Sequence, residues 1–229
     1  MHIPEGFLGP STWASFWLIM IPIWALASKK LQAGLKTKHV PLLSIGAAFS
    51  FVIMMFNVPI PGGSTGHAVG AVLIAIILGP WAAVIAVSTA LTIQALLFGD
   101  GGITAIAANS FNMAVVIPFT GYYVYRLLSA DSKLESKRRW IAAGIGGYVG
   151  VNAGAISTGV MLGLQPLLYH TPTGQALYFP YNLNIAVPAM AFEHLIFIGF
   201  IELAVTAMVI RYFQQSDPEM LKITEEVNA

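Results

Sequence analysis

The stretch HAVGAVLIAIILGPWAAVIAVSTALTIQALLF, residues 67–98, indicates the fold because it joins two apolar segments without a single Asp, Glu, Lys or Arg. The first segment, His67–Leu78, ends at Gly79-Pro80, a pair that breaks one helix and starts the next. A helix that spans a bilayer needs about 20 mostly apolar residues, so the first segment is short and Trp81–Phe98 is nearly long enough. Short segments bounded by Gly or Pro are tolerated at membrane depth where they pack on protein or line a cavity.

Composition extends this prediction to the whole chain. Of its 229 residues, 57% are hydrophobic and only 9% are charged, whereas an average soluble domain carries roughly 25% charged residues. We expect an all-α, polytopic membrane bundle of about seven transmembrane helices, forming a single domain over residues 1–229 with a polar, cytoplasmic tail at 214–229. The predicted helices lie roughly at 11–28, 41–57, 67–78, 81–98, 105–128, 141–164 and 185–213.

The distribution of Lys and Arg predicts the orientation of this bundle. Basic residues cluster between the first and second helices and between the fifth and sixth: Lys29, Lys30, Lys36, Lys38, Lys133, Lys137, Arg138 and Arg139. The loops at 58–66, 99–104 and 165–184 contain no Lys or Arg. The positive-inside rule therefore predicts an outer N-terminus and a cytoplasmic C-terminus, which seven crossings satisfy.

The first residues, Met-His-Ile-Pro-Glu-Gly-Phe, form the strongest candidate site. No signal-peptide pattern precedes the first apolar run, and the bulky His2 disfavours removal of Met1, so we expect a free amine at Met1. The amine, the His2 amide nitrogen and His2 Nδ1 can close adjacent five- and six-membered chelate rings. Such planar nitrogen ligation favours Ni²⁺ or Cu²⁺, and the affinity should fall in acid. Residues 1–10 are thus a candidate metal-binding segment; the alternative is a frayed terminus.

A second candidate is the Gly-rich turn Gly62–Gly70, which precedes the short third helix on the same outer side. It presents His67, and imidazole is the commonest nitrogen ligand for nickel, copper and zinc. The alternative is an ordinary helix start, capped by Ser64 or Thr65, with His67 hydrogen-bonded in the interior. Together with Met1 and His2, His67 would complete a set of four nitrogen ligands.

Further polar residues lie in the outer turn and helix that follow Gly99. Asn109 and Asn112 are predicted to be buried, either joining helices or hydrogen-bonding the N-terminal segment and orienting the metal ligands. Ser64 is a further candidate for orienting them.

Three ionisable residues lie in the last apolar stretch, where such groups are costly and often functional. Glu193, His194 and Glu202 could form a proton relay, but adjacent residues on a helix, such as Glu193 and His194, are expected to point to different faces. The remaining histidines, His39 and His170, are expected to be solvated.

The sequence resembles a family of membrane proteins over nearly its whole length. The N-terminal heptapeptide, Gly66-His67, the run Gln94-Ala-Leu-Leu-Phe-Gly-Asp-Gly-Gly-Ile-Thr-Ala and Asn109-Ser-Phe-Asn-Met-Ala resemble the NikM and CbiM substrate-binding components of energy-coupling-factor (ECF) metal transporters. The resemblance implies a component that captures one Ni²⁺ or Co²⁺ ion through the Met1 amine, the His2 amide and imidazole, and His67. Within the family, Gly66-His67-Ala68 favours nickel.

The resemblance also implies partners and a location. The partners are a transmembrane coupling component, two cytoplasmic ATPases and a small accessory membrane subunit, which we expect as a separate chain. The location is the prokaryotic cell membrane, with the protein in contact with the lipid bilayer. The chain itself is expected to be a non-catalytic subunit that binds no nucleotide, since it contains no Gly-x-x-x-x-Gly-Lys-Ser/Thr loop.

Composition and motifs weigh against other classes. The net charge of +1 and the lack of a basic patch do not favour binding of a nucleic acid. The chain contains no cysteine, so a thiolate metal site is excluded. A proton-coupled secondary carrier remains the alternative, although its intramembrane carboxylates would be few and no internal repeat is evident. A metal-dependent membrane enzyme would need an open coordination position and a general base, for which four planar nitrogens leave little room.

Overall fold

The computed structural model describes residues 1–34, 36, 39–60 and 64–224, and these form an almost wholly helical structure. The helices are α1 (Pro10–Gly34), α2 (Val40–Met54), α3 (Ala71–Leu78), α4 (Pro80–Ile93), α5 (Ile106–Ser110), α6 (Ile117–Ser129), α7 (Lys137–Gly163), α8 (Gln165–Leu168), α9 (Leu183–Glu193) and α10 (Gly199–Ser216). A short antiparallel pair, β1 (Val58–Ile60) and β2 (Ser64–Gly66), lies between α2 and α3, and a 3₁₀-helix (Pro218–Lys222) follows α10.

Three π-helical turns join several of these helices into longer rods. Gln94–Phe98 extends α4, Phe111–Val116 joins α5 to α6, and His194–Ile198 joins α9 to α10. Within the described residues the helices therefore form seven rods, one for each predicted apolar stretch, which confirms the helical-bundle prediction. Turns of this kind are rare and are often found at functional sites.

Four of the rods are long and apolar enough to cross a membrane: Pro10–Gly34, Pro80–Phe98, Lys137–Leu168 and Leu183–Ser216. The helix α2 is a shorter apolar segment. Large apolar side chains are well exposed on the outside of the bundle, as at Leu18 (74%) and Leu97 (75%), where lipid rather than water would solvate them. The structure thus agrees with a multi-pass membrane protein.

The short helix α3 lies in the interior, with seven of its eight residues buried. It begins at Ala71 and not at His67 as predicted, because Gly70 has a left-handed conformation (φ +70°) and residues 64–66 pair with β1. Residues 64 and 65 therefore do not cap α3, and their side chains lie outside the described part of the structure. The predicted break is present: Gly79 has φ +93°, a conformation that favours glycine, and Pro80 starts α4.

The N-terminal segment and the C-terminal helix mark opposite ends of the bundle. At one end, the Gly9 N–H donates to Oε1 of Gln165, a residue that follows α7 (2.9 Å). At the other end, Gln214 Nε2 donates to the carbonyl of Ser136, the residue that precedes α7 (3.1 Å). The predicted polar tail thus begins inside α10 and continues against the bundle to Thr224, whose hydroxyl donates to the Ile76 carbonyl. Residues 225–229 of that tail lie outside the described residues.

Candidate metal centre

The N-terminal segment, residues 1–9, is docked into the bundle through the main chain of Ile3. The Ile3 N–H donates to Asn109 Oδ1 (2.8 Å), while Asn109 Nδ2 and the Gly102 N–H both donate to the Ile3 carbonyl, at 3.2 and 2.9 Å. The Ile3 side chain is fully buried. Of the two roles foreseen for Asn109, the structure therefore supports the one in which it binds the N-terminal segment.

Glu5 fastens the same segment to the loop before α5. Its carboxylate accepts hydrogen bonds from the Thr104 hydroxyl (2.6 Å) and the Thr104 N–H (3.0 Å), and these bonds lower the pKa of Glu5. The chain passes so close to Gly102 that a Cβ atom there would lie 2.7 Å from the Glu5 nitrogen. Only glycine leaves room for this crossing. Sequence reasoning quoted Glu5 within the motif but gave it no role.

His67 and the terminal amine of Met1 meet in the interior. The amine nitrogen lies 3.2 Å from His67 Nε2, and His67 Nδ1 lies 3.1 Å from the Ala68 carbonyl oxygen. Because a carbonyl can only accept, Nδ1 carries the proton and Nε2 presents its lone pair to the amine. Two nitrogen ligands at adjacent corners of a square, each about 2 Å from a metal ion, are roughly 2.8 Å apart. The observed spacing is close to that requirement.

The imidazole of His2 lies beside that of His67, with ring centroids 4.7 Å apart. His2 Nε2 is 3.1 Å from the side-chain oxygen of Gln94, a fully buried residue at the start of a π-helical turn. Sequence reasoning quoted Gln94 at the start of a family motif but gave it no role. The sequence does indicate that Gln94 has a partner, since a side-chain amide inside an apolar segment needs a hydrogen bond.

Burial sets the protonation of these nitrogens. It lowers the pKa of the Met1 amine to about 6, against the opposing charges of Glu193 and Asp100. Burial, followed by the charge of the terminal amine, lowers the pKa of His2 to about 3 and that of His67 well below its usual range. These shifts favour the neutral forms, whose lone pairs are available for a cation.

Side chains alone do not provide a complete set of metal ligands here. Among the described residues no group of three or more His, Cys, Asp or Glu side chains is placed to hold a metal ion. A four-nitrogen site here therefore needs the Met1 amine and the His2 amide nitrogen in addition to the two imidazoles. Such a donor set suits a planar Ni²⁺ or Cu²⁺ complex.

Asn112, the other candidate orienting amide, makes its side-chain hydrogen bonds to other residues. Its Oδ1 accepts from the Ser157 hydroxyl (2.7 Å) and its Nδ2 donates to the Met161 sulfur (3.8 Å), both on α7. The structure thus gives Asn112 the helix-joining role that was the alternative. The side chain of Ser64 lies outside the described residues.

Glu202 supports the loop that carries His67. Its carboxylate, fully buried on α10, accepts from the Val69 N–H (2.7 Å) and the Gly70 N–H (2.9 Å). These bonds satisfy two main-chain donors that precede α3 and fix the path of the chain directly after His67. The sequence indicated a functional carboxylate, but not this contact across 133 positions.

The remaining ionisable residues differ in part from expectation. Glu193 and His194, which were expected to point to different faces, are both buried at the junction of α9 with a π-helical turn. The Glu193 carboxylate lies so close to Gly66 that a Cβ atom there would be 2.6 Å from it. His39 was expected to be solvated but is only 4% exposed, at the position that precedes α2; His170 is exposed as predicted.

Comparisons with known proteins find similarity to metal transport proteins. The chain is 51% identical over 221 residues to a fused nickel transport protein, NikMN, of Rhodobacter capsulatus, and covers 64% of that protein's length. It is 49% identical over 227 residues to a putative metal transport protein of Methanocaldococcus jannaschii, which it matches over 97% of that protein. A crystal structure of a transition metal transporter superposes with a TM-score of 0.89 at 55% identity, covering 95% of this chain and 94% of that one.

A family model describes the same region. Residues 2–220 match the model described as the cobalt uptake substrate-specific transmembrane region, CbiM. The relatives are bacterial and archaeal, which agrees with the predicted location in a prokaryotic cell membrane. This chain therefore belongs to the CbiM family of cobalt uptake substrate-specific transmembrane regions.

Proposed function

We propose that this chain is the substrate-capture subunit of an ATP-driven ECF importer for Ni²⁺ or Co²⁺. The observation that carries the proposal is the 3.2 Å approach of the Met1 amine to His67 Nε2, deep in the bundle. Met1 is 6% exposed and His67 only 1%. Burying a polar terminus is costly unless it is paired, so this arrangement favours a role that needs the amine at that position.

In the proposed complex the ion is held by the Met1 amine, the His2 amide nitrogen, His2 Nδ1 and His67 Nε2. The first three belong to one continuous chelate, and the fourth lies next to the amine, as adjacent corners of a square require. Amide and amine must lose protons on binding, which the lowered pKa of the Met1 amine favours at neutral pH.

The planar set favours nickel over cobalt. Ni²⁺ forms square-planar complexes with nitrogen donors, and a given nitrogen site generally binds Ni²⁺ more tightly than Co²⁺. Gly66-His67-Ala68 points to the same ion through the family resemblance. The names of relatives include both nickel and cobalt transport proteins, so Co²⁺ remains within the proposal.

The proposed capture subunit depends on partners for transport. We infer a transmembrane coupling component, two cytoplasmic ATPases and a small accessory membrane subunit, because this chain contains no phosphate-binding Gly-rich loop and a binding site alone cannot concentrate an ion. For the same reason we assign it no catalysis of its own.

Proteoliposomes that contain only this chain should bind Ni²⁺ but show no ATP-driven uptake. Uptake of radioactive ⁶³Ni²⁺ with ATP inside and outside the vesicles measures this directly. Adding the coupling component, the ATPases and the accessory subunit should start accumulation. Proton-driven accumulation by this chain alone would instead favour the secondary-carrier alternative.

The proposal includes an outer N-terminus, a cytoplasmic C-terminus and seven crossings. Ser132 and Thr173 lie in loops that flank α7, at opposite ends of the bundle, and the chain contains no cysteine. Single variants Ser132→Cys and Thr173→Cys, probed in intact cells with a membrane-impermeant maleimide, should react only at Thr173→Cys. Labelling only at Ser132→Cys would reverse the assigned orientation.

A further inference from the structure

Gln94 fixes the protonation of the His2 ring. The Gln94 side-chain nitrogen donates to the Phe51 carbonyl (3.3 Å), so its oxygen is the atom that faces His2 Nε2 at 3.1 Å. An amide oxygen can only accept, and therefore His2 Nε2 carries the hydrogen. In the neutral ring, the other nitrogen, Nδ1, is left without a proton.

The bare Nδ1 faces a carboxylate. His2 Nδ1 lies 3.5 Å from Asp100 Oδ1, and the two side chains are only 7% and 28% exposed. Two acceptors that face each other in a largely buried site repel unless a positive charge lies with them. The arrangement therefore suits a cation at Nδ1, which is the nitrogen that the proposed chelate uses.

The loop that carries Asp100 packs against His2. The Asp100 N–H donates to the Gln94 carbonyl (3.1 Å), so the loop is tied to the helix that also provides the Gln94 side chain. Gly101 follows with φ +88°, a conformation that favours glycine, and a Cβ atom there would lie 3.4 Å from His2 Cδ2. Asp100 is thus held beside the imidazole by the main chain on both sides.

The net charge of the bound ion accounts for a carboxylate at position 100. A Ni²⁺ ion bound by an ionised amide, a neutral amine and two neutral imidazoles leaves a net charge of +1 in a buried site. An uncompensated charge at that depth is costly, and one nearby carboxylate makes the complex neutral. The structure places the carboxylate of Asp100 3.5 Å from His2 Nδ1, a proposed ligand nitrogen.

We propose that Asp100 is a further residue of the metal centre, where its carboxylate balances the charge of the bound ion beside His2 Nδ1. This inference rests on the proposed function, because it assumes that Ni²⁺ binds at Met1, His2 and His67. It adds a positioning and charge-balancing group to that site, and it gives Gln94 the task of keeping Nδ1 available as the ligand.

The test compares Asp100→Asn, which keeps the shape of the side chain but removes its charge, with Asp100→Glu, which keeps the charge. Ni²⁺ affinity is measured by competition with a coloured chelator, and thermal unfolding is recorded with and without Ni²⁺. We expect Asp100→Asn to lose about 10–100-fold in affinity, the range found for groups that support metal ligands, and Asp100→Glu to lose less. The unfolding temperature of the metal-free protein should not fall in either variant.

The matched control is Asp217→Asn, which removes the same charge from an exposed residue at the other end of the bundle and should bind Ni²⁺ normally. Wild-type affinity in Asp100→Asn would overturn the inference. So would equal losses in the Asn and Glu variants, or a loss explained by a less stable metal-free protein. If the wild-type protein itself binds no Ni²⁺, the proposed function fails instead.

Discussion

Replacing His67 with Ala should abolish tight Ni²⁺ binding while the bundle stays folded. The change removes one of four proposed nitrogen ligands and the group that the Met1 amine contacts at 3.2 Å. His67 lies before α3 rather than within it, and its other hydrogen bond goes only to the neighbouring Ala68 carbonyl. The bundle should therefore still fold, although removing this buried side chain lowers its stability. Equilibrium dialysis with Ni²⁺ and thermal unfolding of the metal-free protein measure both effects.

Two further variants provide comparisons for the loss of Ni²⁺ binding in His67→Ala. Asn109→Ala removes the side chain that binds Ile3, and it should weaken Ni²⁺ binding by about 10–100-fold, less than His67→Ala. His170→Ala removes an exposed imidazole after α8 and should have no effect. If His67→Ala keeps one Ni²⁺ per chain at wild-type affinity, His67 is a structural residue and not a ligand.

The helical fold could be predicted because its signals are local. The apolar stretches and the Gly79-Pro80 break are visible directly in the sequence. Each stretch corresponds to a helical rod in the structure. The start of α3 could not be placed, since it depends on the pairing of residues 64–66 with β1 and on the left-handed Gly70. These features arise from contacts between separate segments.

The candidate site was predictable in its chemistry but not in its surroundings. Met1, His2 and His67 stood out because an amine, an amide and imidazoles form a recognised donor set, and a family motif carries them. The contacts of Gln94 with His2 and of Glu202 with the His67 loop join positions about a hundred residues apart. No periodicity or spacing in a single sequence reports such contacts, whereas a buried amide or carboxylate signals that some partner exists.

Blocking the N-terminus should destroy the metal centre while leaving every side chain intact. Acetylation, or one residue added before Met1, converts the amine into an amide or moves it out of register with the His2 chelate. The amine is buried and lies against His67, so a longer chain cannot restore the same contact without displacing Ile3 from Asn109. We expect loss of the bound ion, whereas a secondary carrier or a plain helical bundle would be indifferent to this change.

The most direct measurement is the Ni²⁺ content of three purified forms that differ only at their termini. They are an N-terminally tagged protein, the same protein cleaved to leave one extra residue before Met1, and a protein tagged only at the C-terminus. Metal analysis after gel filtration should find one Ni²⁺ per chain in the C-tagged form and almost none in the other two. Equal metal content in all three forms would contradict a site built on the Met1 amine.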